Sequence, residues 1–221
     1  GYKGTVTKTG IHINQRDLTN KAEELEITLN KDNVSFAEQK TNGTIPSELV
    51  TVKDTETGDT FPASTYEVKF NGRKEAGDKN TVSIVFNGTT LAKDALIKRN
   101  YKGGVTKDTK GTVEVKASNL SDFTIKVDDL VKEDYPNELS KSIKYYLGDK
   151  DVTANVSDKI TIVATPLADG ATSATVTLNS KDNKNVLGSA TVTVNIALKK
   201  IQSLHSVKVN GTDLSLSLIH I

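Results

Sequence analysis

The feature with the greatest reach in this chain is a phrase written twice. Gly1-Tyr2-Lys3-Gly4-Thr5-Val6-Thr7-Lys8 recurs as Asn100-Tyr101-Lys102-Gly103-Gly104-Val105-Thr106-Lys107. A second phrase, Ile13-Asn14-Gln15-Arg16-Asp17-Leu18-Thr19-Asn20, aligns type for type with Val115-Lys116-Ala117-Ser118-Asn119-Leu120-Ser121-Asp122. Self-similarity at a period of about one small domain marks tandem modules rather than one globule, and each module must bury a core of its own. The phrases divide the 221 residues as follows. Residues 1–20 are expected to close a preceding repeat, 21–122 to form a complete one, 123–198 a shorter one, and 199–215 to open a truncated further one. Residues 216–221, Leu216-Ser217-Leu218-Ile219-His220-Ile221, match one reading frame of a transposon end used in sequencing-library preparation. They are expected to be an adapter artefact, so His220 belongs to no site.

Alternation with period two runs through Leu25-Glu26-Ile27-Thr28-Leu29, Tyr66-Glu67-Val68-Lys69-Phe70, Phe123-Thr124-Ile125-Lys126-Val127 and Ala190-Thr191-Val192-Thr193-Val194. One greasy face and one face of Thr, Lys or Glu is the pattern of half-buried antiparallel strands. Between the strands lie Asn42-Gly43, Asn71-Gly72, Asn87-Gly88, Asp169-Gly170 and Asn210-Gly211, pairs that accept the positive φ of tight turns. Short strands broken by such turns predict an all-β architecture of tandem β-sandwich modules. Thr90 to Arg99 departs from the pattern, its Leu, Ala and Ile spaced for one apolar side of a helix. One short crossover helix near 90–99 is expected there.

Composition narrows the chemistry. Twenty-nine Lys plus Arg stand against 28 Asp plus Glu, both signs interspersed, so nucleic acid, which rewards clustered positive charge, is excluded as a partner class. No apolar run is long enough to cross a bilayer, so no membrane insertion is expected of this segment. The chain has no Cys and no Met, which removes disulfides, thiolate metal sites, thiol catalysis and the sulfur oxidation targets together. An extracellular, cell-surface or cell-wall location is the expectation that follows.

Tyr66-Glu67-Val68-Lys69-Phe70-Asn71, then Ala76-Gly77, then Val82-Ser83-Ile84 and Gly88, then Asn100-Tyr101-Lys102-Gly103 form an ordered set of motifs. This set resembles the tandem Ig-like β-sandwich repeats of large secreted or cell-wall-attached surface proteins of Gram-positive bacteria. Their pattern runs Tyr-x-Val-x-Tyr, Asn, Ala-Gly, a Thr/Val strand, then Gly-Asn-Tyr-x-Gly. The resemblance covers mainly residues 1–122, and Thr89 to Arg99 is an insertion relative to it. It implies an Ig-like fold for each module and a structural or adhesive role as spacer stalk and weak multivalent surface. The partners it implies are host or cell-wall glycans or proteins, with flanking Ig-like repeats as neighbours in the chain. It carries no catalytic residues and no cofactor.

The residues themselves supply little chemistry. His12 occupies a polar slot between Ile11 and Ile13, and His205 lies near the end of the chain, so neither stands as a general base. No nucleophile elbow, phosphate loop or metal-spaced His pair occurs, and no enzymatic activity is expected. Asp128, Asp129, Glu133 and Asp134 form the one oxygen-rich cluster placed to hold calcium at a module junction, although Lys126 and Lys132 interleave with it. Asn42, Asn87 and Asn210 each precede Gly-Thr and satisfy the N-glycosylation rule, but the Asn-Gly pair is read as a turn. The alternative function is an accessory carbohydrate-binding module of a secreted polysaccharide-degrading enzyme. Its candidate ligand-binding residue is Tyr146, since alternation turns one of Tyr145 and Tyr146 outward as a stacking ring.

Overall fold

The computed structural model describes residues 14–197, together with the strand backbones of Val207–Val209 and Thr212–Leu214. The chain is mostly β-strand, with four short α-helices among the described residues, in agreement with the all-β expectation.

The strands fall into two sets. The first set holds β1 (Arg16–Asp17), β2 (Leu25–Leu29), β3 (Asn33–Ser35), β4 (Thr44–Ile45), β5 (Val50–Asp54), β6 (Thr60–Phe61), β7 (Glu67–Lys69), β8 (Lys79–Asn80), β9 (Ser83–Phe86), β10 (Tyr101–Lys102), β11 (Val105–Asp108) and β12 (Val113–Lys116). Their sheets run β2-β5-β6, β11-β9-β7-β4 and β3-β12-β8, with β1 beside β10. The second set holds β13 (Ser118–Asn119), β14 (Thr124–Val127), β15 (Leu130–Val131), β16 (Ile143–Leu147), β17 (Lys150–Asp151), β18 (Ile160–Ala164), β19 (Ser173–Ser180), β20 (Val186–Leu187) and β21 (Ser189–Ala197). Its sheets run β14-β16-β17 and β15-β21-β19-β18, with β13 beside β20. Val207–Val209 and Thr212–Leu214 form a separate antiparallel pair.

Alternation decides which side chains go inside. In β5, Val50, Val52 and Asp54 are buried while Thr51 and Lys53 face water, and β19 buries Ala174, Val176 and Leu178 around exposed Thr175. Phe61 from the β2-β5-β6 sheet meets Phe86 from the β9 sheet at 4.8 Å, and Tyr101 meets Phe61 at 4.9 Å, so these two sheets pack face to face through aromatic rings.

Three findings correct the sequence reading. The ladders are not all antiparallel: β1–β10, β3–β12, β13–β20 and β15–β21 run parallel. Alternation reports which face of a strand is buried and carries no information about its neighbour's direction. The single helix expected near 90–99 is two, α1 (Gly88–Leu91) and α2 (Ala95–Asn100), because the Asp94 side chain accepts from the N–H groups of Leu96 and Ile97 and starts a fresh helix. Asn87-Gly88 is not a positive-φ turn; Asn87, with φ −153°, caps α1 by accepting from Thr90 N. The phrases at Arg16–Asn20 and Ser118–Asp122 pair with strands that follow them in the chain. Each supplies the first strand of its set, β1 pairing with β10 and β13 with β20.

The buried apolar residues of both sets belong to one cluster that continues across their contact. The two sets pack against each other through the short helix Thr153–Val156 and the tight helical turn Phe36–Glu38, where Phe36, Ala37 and Val156 are buried.

Candidate functional site: the junction between the strand sets

Among the described residues, an extended polar arrangement lies where the two sets meet. Arg73 follows the Asn71-Gly72 bend, where Gly72 takes φ +78°, and this bend aims the side chain across the junction. Its guanidinium lies 4.3 Å from the centroid of the Phe36 ring, Nη1 donates to Asp158 Oδ2 at 3.1 Å, and Nη2 donates to the carbonyl of Asn155. A planar cation suits this place, because one face stacks on an aromatic ring while its edge donates to two acceptors.

Four uncharged polar side chains complete the junction. The Asn155 amide donates to Ala37 O at 2.7 Å, and Ser118 Oγ accepts from Ala37 N at 3.0 Å. Gln39 is fully buried and pairs both ways with Lys74, donating to its carbonyl at 2.8 Å and accepting from its N–H at 2.5 Å. Asn185, also fully buried, accepts from Ala76 N at 2.8 Å and donates to Asp182 Oδ2 at 2.8 Å, while its carbonyl accepts from Ser118 N. Buried amides are tolerated only where such partners exist, so these contacts fix the relative placement of the segments that carry them.

Charge reinforces the arrangement. Partial burial alone would raise the Asp182 carboxyl. The N–H groups of Lys184 and Asn185, the Asn185 amide and the nearby Lys159 outweigh it and hold the group down at about 2. Lys184 reaches across to pair with Glu75, and its ammonium is held above the ordinary lysine range by that contact. A groove of about 610 Å³ opens beside the junction, lined from the first set by Pro46, Ser47 and Lys93 and from the second by Leu147, Val152 and Asn155.

A second groove of about 820 Å³ separates the outer edges of β2 and β11, each the terminal strand of its sheet. Lys107 spans it, its ammonium donating to Leu25 O at 2.8 Å.

The candidates from sequence are placed as follows. Tyr145 is buried, its ring 6.3 Å from that of Phe123, and Tyr146 is the partly exposed member of the pair, as alternation requires. Lys126 Nζ sits 4.6 Å from the Tyr146 ring centroid, so a cation of the protein's own already occupies one face of the ring. Asp128 and Asp129 lie before β15, and Glu133 and Asp134 after it. Asp129 accepts from the Asn195 amide at 3.1 Å. No three Asp, Glu or His side chains converge as a metal site among the described residues. Tyr101 of the repeated phrase is buried, its hydroxyl donating to Asp59 and within 2.7 Å of Thr57 Oγ1. Burial, then Asp59, push this phenol up to about 12. The first copy of the phrase, with His12, and the C-terminal His205 and His220 lie outside the described residues.

Sequence reasoning missed Arg73, Gln39, Asn155 and Asn185. Isolated amides and a single Arg leave no periodic or spaced signal, and only the packing of distant segments gives them partners. No protein-family model matches the chain, and no curated protein aligns with it significantly.

Proposed function

We propose that the chain is a tandem array of Ig-like β-sandwich modules, a structural and adhesive segment of a bacterial cell-surface or secreted protein that acts as a spacer stalk and weak multivalent surface. The observation that carries this reading is a pairing scheme that occurs twice. The parallel pairs β1–β10 and β3–β12 have counterparts in β13–β20 and β15–β21, the sheet β2-β5-β6 in β14-β16-β17, and the ladder β7–β9 in β18–β19. The repeated phrase follows the same scheme, since Leu18 and Leu120 are both buried directly after the first strand of their set. On this reading the modules divide between Lys116 and Ser118.

A spacer needs a defined angle between its modules, and the buried junction of Arg73, Asn155 and Asn185 supports that requirement. Repetition then multiplies weak contacts without any one module binding tightly. Because the chain has no Cys, spin labels can be placed cleanly at Thr28→Cys and Thr193→Cys, both exposed. Electron-electron double resonance should give one narrow distance distribution, which Arg73→Ala broadens. A broad distribution in the parent protein would refute the semi-rigid stalk.

A further inference from the structure

Three Asn-Gly pairs occur among the described residues, and the fold treats them differently. At Asn42-Gly43 the glycine is buried, its N–H donates to Lys40 O at 2.9 Å, and the Asn42 side chain accepts from Thr44 N at 3.1 Å. At Asn87-Gly88 the asparagine is held at both ends: its side chain accepts from Thr90 N, and its N–H donates to the Thr90 hydroxyl, each at 2.9 Å. At Asn71-Gly72 both residues are exposed, and among the described residues no group bonds the Asn71 side chain or the Gly72 N–H. This third pair lies directly before Arg73, the residue that clamps the junction.

We infer that Asn71 is a site of spontaneous backbone modification, and that its conversion loosens the contact between the two strand sets. The Gly72 nitrogen, after losing its proton, attacks Asn71 Cγ. The N–Cγ bond forms, the Cγ–Nδ2 bond breaks, and ammonia leaves. Water then opens the cyclic imide at either carbonyl, giving aspartate or its β-linked isomer, so the balance is amide plus water to acid plus ammonia. The free glycine side favours the step, because no Cβ crowds the attacking nitrogen.

The consequence follows from the packing around the bend. A Cβ on Gly43 would lie 2.8 Å from Gly72 C and O and 2.9 Å from Phe70 O, so the bend is seated on Gly43 with no slack. The β-linked product lengthens the main chain by one methylene inside that contact, and the shift passes to Arg73. Either product also places a carboxylate two residues from the guanidinium, in competition with Asn155 O and Asp158.

The test is to hold the full chain at mildly alkaline pH and physiological temperature and follow amide-to-acid conversion by peptide mapping. Asn71 should lead Asn42 by about tenfold, equivalent to roughly 1.4 kcal/mol, the scale of the hydrogen bonds that must open at Gly43. In denaturant the three sites should convert together, since each is followed by Gly. Aged protein labelled at Thr28→Cys and Thr193→Cys should show a broadened distance distribution, and the same protein carrying Asn71→Ala should not. Conversion of Asn42 or Asn87 as fast as Asn71, a lead for Asn71 that persists in denaturant, no conversion at Asn71, or conversion without broadening would each overturn the inference.

Discussion

Arg16 and Asp54 show how much a single pairing governs. Asp54 is fully buried and accepts from Arg16 through Nε and, at 2.9 Å, Nη2, as well as from the N–H groups of Glu56 and Thr57. Glu24 binds the same guanidinium, and these acidic partners, Asp54 first, raise the Arg16 pKa further above its ordinary value. Removing one partner of a buried pair strands the other's charge, so Arg16→Met should lower stability by about 3 kcal/mol, read from the denaturant midpoint. Three tyrosines act together in base. Burial pushes Tyr66, Tyr101 and Tyr145 each up to about 12, above the ordinary phenol. A raised folded-state value means that stability is full below about pH 10 and falls as pH climbs toward 12, because the unfolded chain ionises first. Thermal melts should therefore decline across that window, and Tyr145→Phe should flatten the decline.

At the scale of elements, the strands were the legible part of the sequence. Leu25 to Leu29, Glu67 to Phe70 and Ala190 to Val194 alternate because one face of each is buried, and that preference is local. Strand direction, the break at Asp94 and the cap at Asn87 were not legible, because the same residues serve a turn, a cap or a helix according to what surrounds them. Asp94 offers a direct check. Its carboxylate satisfies two N–H groups at the start of α2, so Asp94→Ala should cost about 1 kcal/mol and raise hydrogen exchange at Leu96 and Ile97. Tyr101, in the repeated phrase, packs its ring against Phe61 while its hydroxyl donates to Asp59, a pairing that only the folded chain brings together.

For the molecule as a whole, the junction matters most and was invisible beforehand. Its hydrogen-bonded residues are separated by up to 118 positions and have no common pattern, so each becomes meaningful only when the two sets meet. Asp182 links this arrangement to pH. Its folded-state value of about 2 lies below the ordinary aspartate value near 4, so its contribution is present above that value and fades as pH falls toward 2. Hydrogen exchange at Ala76 and Ser118, whose N–H groups Asn185 binds, should accelerate over that interval, and Asp182→Asn should remove most of the pH dependence. The ammonium of Lys107, lodged between two open sheet margins, bears on life in a crowd. A strand arriving from a neighbouring copy meets the Lys107 ammonium on the Leu25 carbonyl it would have to pair with. Two copies brought flank to flank would find that carbonyl already engaged, so the margin offers less of a template for a further strand.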